Sequence, residues 1–271
     1  MQYFRLIFLK TIFLLSLPIL EVYGAPFLNY IVPIEITEPF SGIDSVDTIY
    51  MINLDRRPER LAYTKQLLSQ YGLYANRVSA CDGLLISETT VQELIGPYYE
   101  NTLLNQHPTR SIYPAIGCFL SHLSILQDAY EREFNVIWII EDDIKVVGDV
   151  QQIPMLLSKL FTMDPDWDIC YTDQSSCYSK LALILPPGSA PFSHKVQKEA
   201  RGEFDLIHWR YGTHSMLVSK NGIRKIIDYF SFAYIYGPID NDLHLIPEIR
   251  EYDVLIDIVT CGNMFKSDIE R

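Results

Sequence analysis

The chain has 271 residues, 48% hydrophobic and 21% charged, which suits a globular protein with one substantial core. Its 34 acidic residues outnumber 22 basic ones, giving a formal net charge of −12. That sign argues against a nucleic-acid partner or a broad anionic-membrane face, since both need a basic surface; a local basic pocket is still allowed.

At the amino terminus, Arg5 and Lys10 precede an apolar stretch over residues 11–20, followed by the small residues Gly24 and Ala25. This is the layout of a secretory signal peptide over 1–24. Pro18 interrupts the stretch, which is also short of the roughly 20 residues that a membrane span needs. An uncleaved amino-terminal anchor is the alternative, so the expected location is a secretory lumen or a membrane tether, with the cytoplasmic face open for a bacterial source. Residues 25–45 hold three prolines and no clear period, as in a linker or a segment wrapping a domain edge. A single folded domain is expected over 46–271.

From residue 47 the pattern becomes regular. "DTIYMINL" (47–54) is rich in strand formers, and "PERLAYTKQLLSQYG" predicts a helix with Pro58 in its first turn and a stop at Gly72. "ANRVSACDG" (75–83) predicts a short strand, and "SETTVQELIG" a short helix capped by Ser87. A long loop is expected over 96–113. "PAIGCFLSHLSILQDAYERE" then places Phe119, Leu123, Leu126 and Tyr130 on one helical stripe expected to be buried. "NVIWIIEDDIKV" (135–146) reads as a central strand, apolar on both faces, that runs into three consecutive acids.

Downstream, "IPMLLSKLF" predicts a helix, and "DWDICYT", "FDLIHW" and "HSMLVS" predict strands. "NGIRKIIDYF" predicts a helix, "GPIDNDLHLI" a short helix starting at Pro238, and "YDVLIDIV" one last strand. Alternating strands and helices imply an α/β fold with a mainly parallel central sheet flanked by helices. The five cysteines lack the paired short spacing of a zinc site. Cys170 and Cys177 are free to pair in an oxidising compartment, and Cys118 sits on the helix pattern as an apolar core residue.

In an open α/β sheet, ligands gather beyond the carboxyl ends of the strands. Glu141, Asp142 and Asp143 emerge at such an end. Three adjacent carboxylates repel one another unless a cation joins them, and a hard divalent ion, Mn2+ or Mg2+, suits an all-oxygen set. A solvated turn partly neutralised by Lys145 is the alternative reading.

Three ordered stretches, "MINLDRRPERL" (51–61), "AIGCFLSHL" (115–123) and "VIWIIEDDIKV" (136–146), together resemble glycosyltransferase family 25. "DWDICY", "GTHSMLVSKNGIRKII", "GPIDNDL" and "KSDI" are similar to that family's later blocks, so the likeness spans nearly all of the chain after residue 46. The resemblance implies a GT-A-type nucleotide-binding fold, a UDP-sugar donor, a manganese-type ion and transfer of a hexose, galactose first, with inversion. The implied acceptor is a glycan, lipopolysaccharide or glycoprotein hydroxyl.

By the same resemblance, Glu141, Asp142 and Asp143 are the metal motif, with Asp143 the leading ligand. Asn53, Arg57, Arg60, Asp82 and His122 fall at donor-binding positions, and Asp240 is the candidate general base with Asp242 its competitor. An Asp-Gly turn is the alternative for Asp82, a core histidine for His122, and a solvated helix start for Arg57 and Arg60. Asp173 and His214 depart from the family's pattern and are expected to border the acceptor. A non-enzymatic sugar-binding relative and a metal-dependent hydrolase are the rival readings; no histidine-rich metal pattern favours the latter.

Overall fold

In the computed structural model, residues 26–95, 112–174, 198–262, 264–265 and 268 are described. The signal-like segment, most of the expected 96–113 loop and Cys177 lie outside them. The described part builds an eight-stranded mixed sheet in the order β2-β1-β3-β8-β5-β9-β7-β6. In sequence these are β1 (Thr48–Asn53), β2 (Ala75–Ser79), β3 (Val136–Glu141), β5 (Ile169–Tyr171), β6 (Lys198–Arg201), β7 (Phe204–Ile207), β8 (Ser215–Ser219) and β9 (Glu251–Val254). Six of the eight strands run one way; β8 and β7 run against them.

Strand alternation sends side chains to two separate cores. Tyr50, Ile52, Ile137 and Ile139 face one side. There they meet α2 (Glu88–Ile95), α3 (Ile112–Glu131), α5 (Lys220–Phe230) and the one-turn α6 (Ile239–Asp242). Ile49, Met51, Trp138 and Ile140 face the other, against α1 (Pro58–Gln70) and α4 (Ile153–Met163). β3 is wholly apolar up to its last residue because helices cover both faces.

Local signals act where expected. Pro58 opens α1, Ser87 Oγ accepts the Thr90 N–H at 3.1 Å, and Ser219 Oγ accepts the Gly222 N–H at 3.1 Å to start α5. The 26–45 segment is fastened along the domain, with Phe27 and Ile43 in the core and Asn76 Oδ1 accepting the N–H groups of Thr37 and Glu38 at 2.8 and 2.7 Å.

Three expectations need correction. The stretch "YDVLIDIV" is two strands, β9 and β10 (Val259–Cys261), because the chain bends at exposed Leu255 and Ile256 and leaves the large sheet. β10 pairs instead with β4 (Ile144–Val146). Tyr130 is 41% exposed, unlike Phe119, Leu123 and Leu126, since it lies in the last turn of α3 beyond the sheet. Finally, the hairpin strand β6, "KEAR", carries no apolar alternation and was not predicted.

Candidate active site

Strand geometry divides the acidic run. Glu141 continues the face of Ile137 and Ile139 and points toward α3, whereas Asp142 turns toward α1. On the α1 side Asp142 is fully engaged. Asn53 Nδ2 donates to its Oδ2 at 2.6 Å, Arg60 donates to its Oδ1 at 3.1 Å, and Thr64 Oγ1 donates to its carbonyl at 2.9 Å. Asn53 is itself spent, giving a second N–H to the Arg57 carbonyl and accepting from Arg77 Nε. Burial still pushes the Asp142 carboxyl above its ordinary pKa, against the pull of Asn53 and Arg60.

On the α3 side, Thr213 Oγ1 donates to Glu141 Oε1 at 3.2 Å, and His122 Nε2 stands 3.9 Å from the same oxygen. Burial, then the charges of Asp143 and Asp142, push Glu141 up to about 8. His122 is completely buried, its Nδ1 on the Cys118 carbonyl at 3.0 Å, and burial lowers its pKa so that the ring is neutral. The Cys118 thiol packs against the core where it borders the site, and burial pushes it far up.

Asp143 stands at the turn between β3 and β4, raised by burial and by Asp142, with Arg60 3.6 Å away. Its Oδ1 is buried and has no hydrogen-bond partner. His122 Nε2 and Asp240 Oδ1 are in the same condition, so three of the seven such side-chain atoms among the described residues gather here. Native proteins rarely leave buried polar atoms orphaned, and such a concentration marks a place where a ligand completes the set.

Among the described residues, no three His, Cys, Asp or Glu side chains form a ready metal cage. The chemistry nevertheless fits a hard ion that arrives with its substrate. Such an ion takes one or two carboxylates beside water and phosphate oxygens, and Asp143, with its orphaned oxygen, and Glu141 are the residues that would hold it.

Beside the acidic turn lies a cleft running from Arg56 and Asp82 past Cys118 to Asp143 and Asp268. Arg56 and Arg60 line it; Asn53, His122 and Asp240 stand behind or beside it, and Arg57 reaches it through Asp268. Asp82 accepts the Leu84 N–H at 3.1 Å, as a turn-capping Asp does, and also pairs with Arg56 at 2.6 Å.

Asp240 starts α6, and its Oδ2 accepts the Gly212 N–H at 2.8 Å. Asp242 is deeply buried, its Oδ2 accepting the Tyr236 N–H at 2.7 Å, and burial pushes its carboxyl well above the ordinary range. The short segment before β8 thus joins the parts: Gly212 holds Asp240 and Thr213 holds Glu141. His214 gives its carbonyl to the Glu141 N–H, and its Nε2 sits 2.9 Å from Asp173.

Asp173 is further held by Arg210 at 2.9 Å, which also pairs with Asp253 at 2.6 Å and lies 3.9 Å over the Tyr171 ring. The two positions that depart from the family's pattern therefore contact each other. Sequence reading singled out none of Arg56, Gly212, Thr213, Arg210 and Asp268, although Arg56 lies within "MINLDRRPERL", Gly212 and Thr213 open "GTHSMLVSKNGIRKII" and Asp268 lies within "KSDI".

The model for "Glycosyltransferase family 25 (LPS biosynthesis protein)" matches residues 46–242. The chain belongs to glycosyltransferase family 25. That match covers the arginine block, the acidic turn and Asp240, and stops before Asp268. Among curated relatives, procollagen galactosyltransferase 1-A of Xenopus laevis is 31% identical over 76% of this family 25 chain and 32% of its own length. Procollagen galactosyltransferase 2 of Homo sapiens is 26% identical over the same shares. A Rattus norvegicus protein named probable inactive glycosyltransferase 25 family member 3 is 26% identical over 46% of this chain and 22% of its own. The chain thus spans about a third of the length of the procollagen galactosyltransferases it matches. The apo structure of mouse xyloside xylosyltransferase 1 covers 86% of this chain, and 80% of its own is covered, at 11% identity and a TM-score of 0.34, too slight a likeness to argue from.

Proposed function

We propose that this family 25 protein transfers a hexose, galactose first, from a UDP-sugar to a hydroxyl of a glycan, lipopolysaccharide or glycoprotein, with inversion and with a divalent ion, on a GT-A-type scaffold. One observation carries the reading: an arginine cluster at the exit of β1 and a buried carboxylate oxygen without a partner on Asp143 border one cleft at the carboxyl ends of the strands. The names of the relatives support galactose and both acceptor classes.

Arg57 and Arg60 meet the donor's diphosphate, since a guanidinium offers a planar fork of donors to phosphate oxygens. Asn53 and Thr64 act behind them by fixing Asp142, which in turn fixes Arg60. Mn2+ or Mg2+, held by Asp143 and Glu141, would supply Lewis acidity at the leaving diphosphate. Asp240 takes the acceptor proton as the acceptor oxygen bonds to the anomeric carbon. The bond from that carbon to the diphosphate breaks, and its electron pair leaves with UDP. Gly212 and Thr213 set the spacing between this base and the acidic turn. His122 Nε2, 3.9 Å from Glu141 on the α3 side and without a hydrogen-bond partner, is left to meet the donor. The signal-like residues 1–24 support an endomembrane lumen or a membrane tether, and no described helix is long and apolar enough to cross a membrane.

The test is a donor screen on purified protein, reading UDP release from UDP-galactose and UDP-glucose with an acceptor mixture, with and without Mn2+. Metal-stimulated release with sugar on the acceptor is expected. Tight UDP-sugar binding with no release favours the second reading, a sugar-binding relative without turnover, which the rat protein's name keeps in view.

A further inference from the structure

The described residues that follow β10 meet the site at three points. Gly262 N–H donates to the Asp143 carbonyl at 2.6 Å, and Gly262 has room for no side chain there, since a Cβ would lie 2.6 Å from that oxygen. Phe265 then packs edge-on against Tyr63 of α1, with the Arg60 guanidinium 5.2 Å from its ring centre. Beyond it, Asp268 drops its carboxylate among three arginines. Arg57 meets it through Nε at 3.0 Å and a second nitrogen at 2.5 Å, Arg56 at 3.0 Å and Arg60 at 3.3 Å. Its side chain is 9% exposed.

Charge balance gives this arrangement its meaning. Arg56, Arg57 and Arg60 bring three positive charges; Asp82, Asp142 and Asp268 hydrogen-bond them, and Glu59 and Asp143 stand 3.7 and 3.6 Å from Arg57 and Arg60. With Asp268 in place, the cluster has no net positive charge left for a diphosphate, and the arginine donors that meet Asp268 are taken. Asp82 caps its own turn and Asp142 is fixed by Asn53 and Thr64, so both are built into the frame. Asp268 alone of the three lies after the last described strand, outside any described helix or strand.

We propose that Asp268 is an internal competitor of the donor's diphosphate: its carboxylate holds the Arg56–Arg57–Arg60 cradle in the empty protein and is displaced when a nucleoside diphosphate enters. The inference rests on the reading of Arg57 and Arg60 as donor-phosphate ligands. It adds that donor affinity is set below its intrinsic value by the share of molecules whose cradle is occupied.

Calorimetric titration of UDP and of uridine into the full chain and its Asp268→Asn variant tests it. UDP is expected to bind the variant about fivefold tighter or more, with uridine unchanged, because the neutral amide releases the cradle. Equal or weaker UDP binding by the folded variant overturns the inference and makes Asp268 a holder of the arginines, leaving the donor-site reading intact. Failure of UDP to bind either protein overturns both. Should the variant not fold, the unaltered chain still decides: saturating inorganic pyrophosphate is expected to speed hydrogen exchange of the Gly262 amide severalfold, and an unchanged or slower rate rejects displacement.

Discussion

Asp142 and Asp143 are neighbours of like charge with opposite local fates. Asp142 is paired with Arg60 inside the fold, and removing one partner of a buried pair strands the other. Asp142→Ala is therefore expected to cost about 3 kcal/mol in urea unfolding, at the low end for a buried pair because Arg60 keeps Asp268. Asp143 gains little from the fold and suffers burial beside like charge. Asp143→Asn should then raise stability by about 1 kcal/mol while metal-stimulated UDP release falls by two orders of magnitude or more, a trade typical of functional carboxylates. Arg57→Ala should mainly weaken UDP binding. Asp240→Asn should lower turnover about a hundredfold or more with UDP affinity unchanged, as for loss of a base that touches only the acceptor. The acids were legible in sequence because they are contiguous and end an apolar strand. Their division between two helices followed from strand period but was not drawn from it, and Asp268, separated from Arg57 by 211 positions, gave no spacing to read.

At the scale of elements, α3 approaches the turn that carries Asp82 so closely that a Cβ on Gly117 would lie 2.5 Å from the Cys81 carbonyl and 2.6 Å from the Gly83 nitrogen. Gly117→Ala is expected to lose about 1–3 kcal/mol to overpacking, more than the roughly 1 kcal/mol that alanine gains over glycine in a helix. Chemical denaturation measures the net loss, and UDP affinity should fall with it as the Asp82–Arg56 turn is pushed outward. The antiparallel strand β8 has a comparable role, because its reversed direction brings residues 212–214 to the carboxyl end of β3. Hydropathy made β8 visible as a strand yet said nothing of its direction, which depends on how the chain returns to the sheet. The break between β9 and β10 was hidden for a related reason: Leu255 and Ile256 continue the apolar run although both are exposed.

Across the whole molecule, an acidic chain concentrates arginines at one strand exit and closes them with Asp268, some two hundred positions on. Against the cost of burial, Arg57 and Arg56 hold the Asp268 carboxyl down at about 2. A group whose folded pKa lies below its unfolded value binds fewer protons when folded. Its contribution to stability is therefore complete above about pH 4 and is lost as pH falls toward 2. The stability gap between the unaltered chain and Asp268→Ala should be constant from about pH 7 to 5 and narrow below about 4, which unfolding midpoints across that range will read.

The acidic turn's service to a nucleotide diphosphate through a divalent ion is tested most directly by calorimetry of UDP with and without Mn2+, on the unaltered chain and on Asp143→Ala. Mn2+ is expected to tighten UDP binding about tenfold or more in the unaltered chain and to do nothing in the variant. UDP affinity that ignores the ion, or that gains from it equally in both proteins, would contradict the site.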